Sequence, residues 1–299
     1  MYDRNNREYI QYTGGYLQIM KKSMIAMLML LVLIVAACGN NSNNSNKENA
    51  EAPAATATEP VKIKVATLIP PMTEILDIVK PLLLEDGVDM EIVVLSDNVQ
   101  PNEALANKEV DANFFQHLPY MEQFNASKGS KLVGVQPVYD AIYGGYSKKY
   151  KTIEELPEGA KLVMANDPSN IGRSLQMFAN AGLIKLKDGV GIKATQADIT
   201  ENPKNFKFEE VDLLMLARMM DDGDLVAMTP AYASPLGLTP KKDALITEGE
   251  DSEFTITLVA REDNKDSDAI QKLAKRISGP EVKKFLEDNY AEIALPAFK

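Results

Sequence analysis

From Lys62 onward the hydrophobic pattern keeps switching period, from two-residue alternation to a helical repeat and back. Lys62-Ile63-Lys64-Val65 alternates polar with apolar and predicts a first strand, closed by the turn-prone Ile69-Pro70-Pro71. Thr73 stands where it can cap a helix over Glu74–Leu84, in which Ile75, Leu76, Ile78, Val79, Leu82 and Leu83 recur at helical spacing. Met90–Leu95 predicts a second, β-branched strand. A helix around Glu103–Lys108, a short strand Ala112–Phe115 and a helix from Leu118 follow. The alternation continues through Lys161–Ala165 and Ser169–Ala181, Glu209–Val211 and Leu213–Met220, then Asp224–Met228. A late strand, Phe254–Ala260, precedes two amphipathic helices near Asp268–Ile277 and Pro280–Asn289. Such a chain is committed to the α/β class, with helices covering both faces of mainly parallel sheets. Met215, Met219 and Met220 fall at core spacing on one helix and read as packing.

Composition removes several functions. The 299 residues are 45% hydrophobic and 25% charged, which is globular. A net charge of −11 without a long Lys/Arg cluster argues against nucleic acid as a partner. The single cysteine, Cys38, makes no internal disulfide, and the single histidine, His117, cannot supply the usual zinc site, so no metal or cofactor is expected. A serine triad would need His117 as its base, and no Gly-x-Ser-x-Gly elbow is present. Asp221-Asp222-Gly223-Asp224 lacks the EF-hand's alternation and reads as a turn between helix and strand. Gly189-Val190-Gly191 lacks the third glycine of a dinucleotide loop. No catalytic residue stands out, and the chain does not read as an enzyme.

The N-terminal segment sets the compartment. Met20-Lys21-Lys22-Ser23 precedes an apolar run from Met24 to Ala37. That run is shorter than the roughly 20 residues of a spanning helix and fits the roughly 7–15 of a signal-peptide core. It ends in Val35-Ala36-Ala37-Cys38, which resembles a bacterial lipoprotein signal with its lipobox. Cleavage before Cys38 would free its amine and thiol for acyl chains such as palmitate, and so anchor the chain to the cell membrane on its extracytoplasmic face. Residues 1–19 carry mixed charge and read as a mis-assigned leader, with Met20 the true start and 20–37 the signal peptide. Residues 38–60 are rich in Asn, Ser, Ala, Thr, Glu and Pro and read as a flexible tether. An α/β body behind such an anchor is either a solute receptor beside a transporter or a surface enzyme.

Two constellations carry recognition chemistry. Asn166-Asp167-Pro168-Ser169-Asn170-Ile171-Gly172-Arg173 joins a strand end to a helix start. Asp167 can cap, Pro168 suits the first helical position, and a helix N-terminus with Arg173 one turn in suits an anionic group. Asn113-Phe114-Phe115-Gln116-His117-Leu118-Pro119-Tyr120 places aromatics at a strand end, with His117 as a polar reader beside them. Each also has a plain reading, as an ordinary cap with a surface arginine and as core packing.

The chain resembles the methionine-binding lipoproteins of ABC importers (the NlpA type) from about Val61 to Phe298. The matching runs are Val99-Gln100-Pro101-Asn102 with Ala104-Leu105-Ala106, Asp111-Ala112-Asn113-Phe114-Phe115-Gln116-His117, and Tyr146-Ser147-Lys148-Lys149-Tyr150. Others are Asn166-Asp167-Pro168 through Arg173, Ala181-Gly182-Leu183-Ile184-Lys185-Leu186, and Glu201-Asn202-Pro203-Lys204-Asn205. The resemblance implies a two-lobed periplasmic-binding fold with a ligand cleft between the lobes. Residues 61–139 and 234–299 would form lobe I and 140–233 lobe II. It implies a monomeric receptor that hands an amino acid or small peptide to a membrane permease driven by an ATPase. Arg173 would hold the ligand carboxylate with Asn170 nearby, while Phe114 and His117 would face the ligand side chain.

Three cleft-facing segments depart from that pattern. Pro71-Met72 stands where the family usually has Pro-His. Ala141-Ile142-Tyr143-Gly144-Gly145-Tyr146-Ser147 replaces Glu-Pro-x-Gly-x-Tyr-Ser, and Thr229-Pro230-Ala231-Tyr232-Ala233 replaces Asn-Gly-Asn-Tyr-Ala. Met72, Tyr143 and Thr229 are therefore expected ligand-binding positions at which recognition of amine and side chain has changed. The alternative is a surface enzyme or adhesin that reuses the fold.

Overall fold

The first strand, β1 (Val61–Thr67), runs parallel to β2 (Val88–Val94) in register from Val61↔Val88 to Thr67↔Val94. The computed structural model describes residues 59–249 and 252–299; the readings made for residues 1–58, Cys38 among them, lie outside these. Between the two strands crosses α1 (Met72–Glu85), which buries Met72, Ile75, Leu76, Val79 and Leu83 against the sheet. Of the stripe its periodicity predicts, Ile75, Leu76, Val79 and Leu83 are buried, while Ile78 and Leu82 are half-buried. After α2 (Gln100–Ala106) the chain enters β3 (Ala112–His117), buried along its whole length, and then α3 (Leu118–Lys128) and β4 (Leu132–Ala141).

The chain then leaves this sheet. β5 (Gly144–Tyr146), β6 (Lys161–Ala165), β9 (Lys207–Val211), β10 (Leu225–Met228) and β11 (Ala244–Thr247) form a second sheet in the order β11-β5-β10-β6-β9. A ribbon of β7 (Lys185–Leu186) and β8 (Ile199–Glu201) stands apart. Helix α4 (Pro168–Asn180) follows β6, and the short α5 (Pro230–Ala233) and α6 (Pro240–Asp243) follow β10. Alternation along β6 shows why this sheet is sandwiched. Leu162 and Met164 enter one apolar cluster while Val163 and Ala165 enter another on the opposite face.

The chain returns through β12 (Thr255–Arg261), which inserts antiparallel between β3 and β4. It ends in α7 (Asp268–Ile277), α8 (Pro280–Asn289) and β13 (Ala294–Pro296), giving a first sheet ordered β13-β4-β12-β3-β1-β2. The result is a two-lobed α/β fold with a sheet in each lobe.

Three expectations change. The sheets are mixed rather than mainly parallel, because strands that cross between lobes and return pair antiparallel with their hosts. The return crossing lies between Thr247 and Thr255, not at 233/234, since β11 still pairs with β5 in the second sheet. Finally, Leu213–Met220 is a 3₁₀ segment in which Met220 is buried but Met215 is exposed, so only part of the methionine set packs. The Asp221–Asp224 turn spends its charge on neighbours. Asp221 pairs with Lys148, while Asp224 pairs with Lys149 and accepts the Lys161 backbone N–H.

Candidate functional site

The parallel strands β1, β3, β6 and β10 end at one place. The chain leaving each of them bends around a cavity between the two sheets, the position where open α/β sheets bind ligands. It offers about 60 Å³ to the centres of water-sized groups, where a single water needs roughly 10–15 Å³, so a short chain of heavy atoms fits. Leu68, Ile69, Met72, Phe115, Tyr139 and Ile256 make its apolar wall in the first lobe. Asn170, Leu213, Thr229 and Tyr232 approach from the second. Among the described residues, the lining contains no Asp, Glu, Lys or Arg.

The first-lobe polar wall is carried by a buried amide cluster. Asn102 Nδ2 donates to Gln116 Oε1 at 2.7 Å, Gln116 Nε2 to Asn113 Oδ1 at 2.9 Å, and Asn113 Nδ2 to Asn102 Oδ1 at 2.9 Å. All three side chains are at most 3% exposed, so each amide left unpaired would cost about 1–3 kcal/mol. The cluster locks α2 to β3 and fixes where β3 ends, at His117. There the Tyr120 backbone N–H donates to Nδ1 at 3.2 Å, which puts the imidazole proton on Nε2, 3.4 Å from Asn170 Oδ1. Burial first, and then the Arg173 charge, lower the His117 pKa to about 3. The ring is neutral and presents a donor.

Asn170 is oriented from behind. Asp167 caps α4, accepting the Asn170 backbone N–H at 3.0 Å and its Nδ2 at 2.8 Å, which leaves Asn170 Oδ1 turned to His117. Two further bonds cross the cleft: Ser169 N–H to Gln123 Oε1 at 3.2 Å and Tyr232 O–H to Asn98 Oδ1 at 3.4 Å. Tyr120 O–H holds the same Asn98 through its backbone carbonyl at 3.0 Å. Burial is the main cause that raises the Tyr232 pKa to about 12, so its hydroxyl stays protonated as the donor.

The NlpA lipoprotein family profile matches residues 63–298. The chain belongs to the NlpA lipoprotein family. Among its relatives, the D-methionine-binding lipoprotein MetQ of Salmonella typhimurium is 41% identical over 227 residues, 75% of this chain and 84% of that protein. A nutrient-binding protein from Burkholderia cenocepacia, solved bound to methionine, is 38% identical with a TM-score of 0.76 and covers 79% of this chain and 100% of its own. An ABC transporter periplasmic substrate-binding protein from Coxiella burnetii is also 38% identical, with a TM-score of 0.75, at 79% and 100% coverage.

Within this NlpA lipoprotein, the expected site residues fall into two groups. Met72, His117, Asn170 and Thr229 come together on the cavity. Phe114, Tyr143 and Arg173 are not among its lining. Phe114 is wholly buried in the first-lobe core, edge-on to Tyr139 at 6.2 Å, and its neighbour Phe115 supplies the wall instead. Tyr143 is buried, with its hydroxyl 2.8 Å from Ser174 Oγ. Arg173, only 2% exposed, lies behind the wall: its Nε donates to Glu248 Oε2 at 2.8 Å and its Nη2 donates to Glu248 Oε1. The fork expected for a ligand carboxylate is thus occupied, and Nη1 alone is left without a partner. Sequence reasoning missed Asn98, Gln123, Tyr232 and Glu248 as site-forming residues, and took in Tyr120 only as the end of the Asn113–Tyr120 run. Asn98 immediately precedes the quoted Val99-Gln100-Pro101-Asn102 run, and Tyr232 stands inside the segment that departs from the family pattern, so both had a signal. Glu248 had none.

Proposed function

We propose that this chain is the substrate-binding lipoprotein of an ABC importer, taking up methionine or a related amino acid or small-peptide carboxylate between its lobes. The observation that carries the reading is the cavity itself, whose lining among the described residues is uncharged and sets an apolar wall beside a few fixed neutral hydrogen-bonding groups. An apolar side chain would enter among Met72, Ile69 and Phe115, while the ligand's polar end meets His117 Nε2–H, Asn170 Oδ1 and the Thr229 hydroxyl. Names borne by the relatives, methionine-binding and periplasmic substrate-binding, support the ligand class. The lipobox-like Val35-Ala36-Ala37-Cys38 supports lipid attachment at Cys38 and an extracytoplasmic position beside a permease and its ATPase. On this reading the protein binds and releases its ligand unchanged, without a cofactor, and works as a monomer.

The cleft-crossing contacts join His117 to Asn170, Asn98 to Tyr232 and Gln123 to Ser169. A ligand between these pairs binds the closed arrangement more tightly than the open one and so shifts the population toward closure. The test is mass spectrometry of small molecules released on denaturing freshly purified protein, followed by calorimetric titration of the emptied protein with L- and D-methionine. Stoichiometric methionine or another amino acid is the expected result. Release of nothing, together with no heat from any amino acid or short peptide, would overturn the reading in favour of a surface enzyme or adhesin.

A further inference from the structure

The chain passes between the lobes twice, through Ile142–Tyr143 between β4 and β5, and between β11 and β12, where Glu248 follows one strand and Phe254 precedes the other. Any relative motion of two such lobes is absorbed by the backbone of their crossings. One guanidinium, reaching out from α4, joins both. Arg173 Nη2 donates to the Ala141 carbonyl at 2.9 Å, at the mouth of the first crossing, and its Nε and Nη2 grip the Glu248 carboxylate at the start of the second. Its Cζ lies 4.5 Å from the Tyr143 ring centroid and 4.4 Å from that of Phe254, so an aromatic from each crossing sandwiches the cation. Glu248 closes the knot: the Tyr143 N–H donates to its Oε1 at 3.0 Å, and its own N–H donates to the Tyr143 carbonyl at 3.0 Å.

The knot also touches the cavity wall from two sides. Phe254 stacks edge-on against His117 at 4.9 Å, and Arg173 stands one helical turn beyond Asn170. Both His117 and Asn170 face the cavity. Whatever molecule fills the cavity therefore presses on residues packed directly against the hinge.

We propose that Glu248 is a positioning residue for the ligand site: by holding Arg173 across both crossings it sets how readily the lobes close. The carboxylate acts without meeting the ligand. Removing its charge while keeping its shape, as in Glu248→Gln, leaves a buried guanidinium whose Nη1 already has no partner, and the two crossings lose their common anchor.

The test is amide hydrogen exchange on detergent-solubilised full-length protein, ligand-free, comparing wild type with Glu248→Gln. Exchange at Ser169, whose N–H crosses the cleft to Gln123, and at Tyr120, on the opposite cleft face, should accelerate at least roughly tenfold. The amides of Leu175–Phe178, deeper in α4, should stay unchanged. Glu248→Asp, which keeps the charge, should recover part of the protection. Methionine should then dissociate from Glu248→Gln roughly tenfold faster, with less effect on association. Wild type that binds no methionine would refute the proposed ligand and leave the exchange result to decide this inference. The inference is overturned if changes are confined to the crossings or spread through all of α4. It is also overturned if Glu248→Gln binds methionine more tightly, because Glu248 would then be a competitor for Arg173. Should Glu248→Gln not fold, Phe254→Leu removes the ring against Arg173 and must shift Ser169 and Tyr120 in the same direction.

Discussion

His117 is a histidine that cannot act as one in the usual sense. Held neutral inside the protein down to about pH 3, it nonetheless takes a proton near 6.5 once the chain unfolds. Unfolding therefore takes up a proton between those values. The stability His117 contributes is complete above pH 6.5 and lost progressively as the pH falls toward 3, by about 1.4 kcal/mol per unit within that window. Urea unfolding of wild type and His117→Gln at pH 4.5, 5.5 and 7 checks this. The wild type should lose stability relative to the variant on acidification, and a constant difference would contradict it. Thr229 gives a second residue-scale prediction. Its hydroxyl makes no cap bond to α5, and an amide at this position would supply a donor and an acceptor together, as the resemblance implies for the asparagine expected there. Thr229→Asn should tighten methionine binding by about 1 kcal/mol, roughly fivefold, in a calorimetric titration.

Among the elements, α4 both lines the cavity and reaches the hinge, and Gly172 sets its seat. A Cβ there would stand 1.9 Å from the Ile192 carbonyl oxygen in the 3₁₀ turn Gly191–Lys193. Backbone cannot step aside as a flexible side chain can. Gly172→Ala should cost about 1–3 kcal/mol or more, a fall of roughly 3–10 °C in melting temperature, and should weaken ligand binding by displacing Asn170. Periodic elements were legible. The stripe of α1, the alternation of β1, the start of α4 at Pro168 and the span of α7 all follow from local pattern and caps. β5 and β11, three and four residues long, were not, because strands so short carry no period to detect. Missing β11 is what misplaced the return crossing.

For the whole molecule, binding and folding are linked. At a ligand concentration a hundred times its dissociation constant, the folded protein gains about 2.7 kcal/mol, visible as a melting shift of roughly 5–10 °C. The same titration followed by amide exchange should protect Ser169 along with the cavity, since its bond spans the cleft. The part of the candidate site that was readable sits in local motifs: His117 ends a strand and Asn170 opens a capped helix. The rest rests on distance in the chain. Arg173 finds Glu248 75 residues later, a pairing for which neither segment carries a local cue, and so its guanidinium looked free.

On the proposed reading, the uncharged lining has a consequence for where the protein can work. A protein facing the outside meets whatever fluid the cell happens to be in, dilute or briny, mildly acid or alkaline, with no cytoplasmic buffer to shelter it. Mobile ions screen exposed charges over about 10 Å at 0.1 M and about 3 Å at 1 M, and a site that grips through such charges changes its grip with every change of medium. Neutral donors and acceptors between two lobes have little for those ions to screen. On the proposed reading, binding built this way keeps one setting from dilute to briny surroundings.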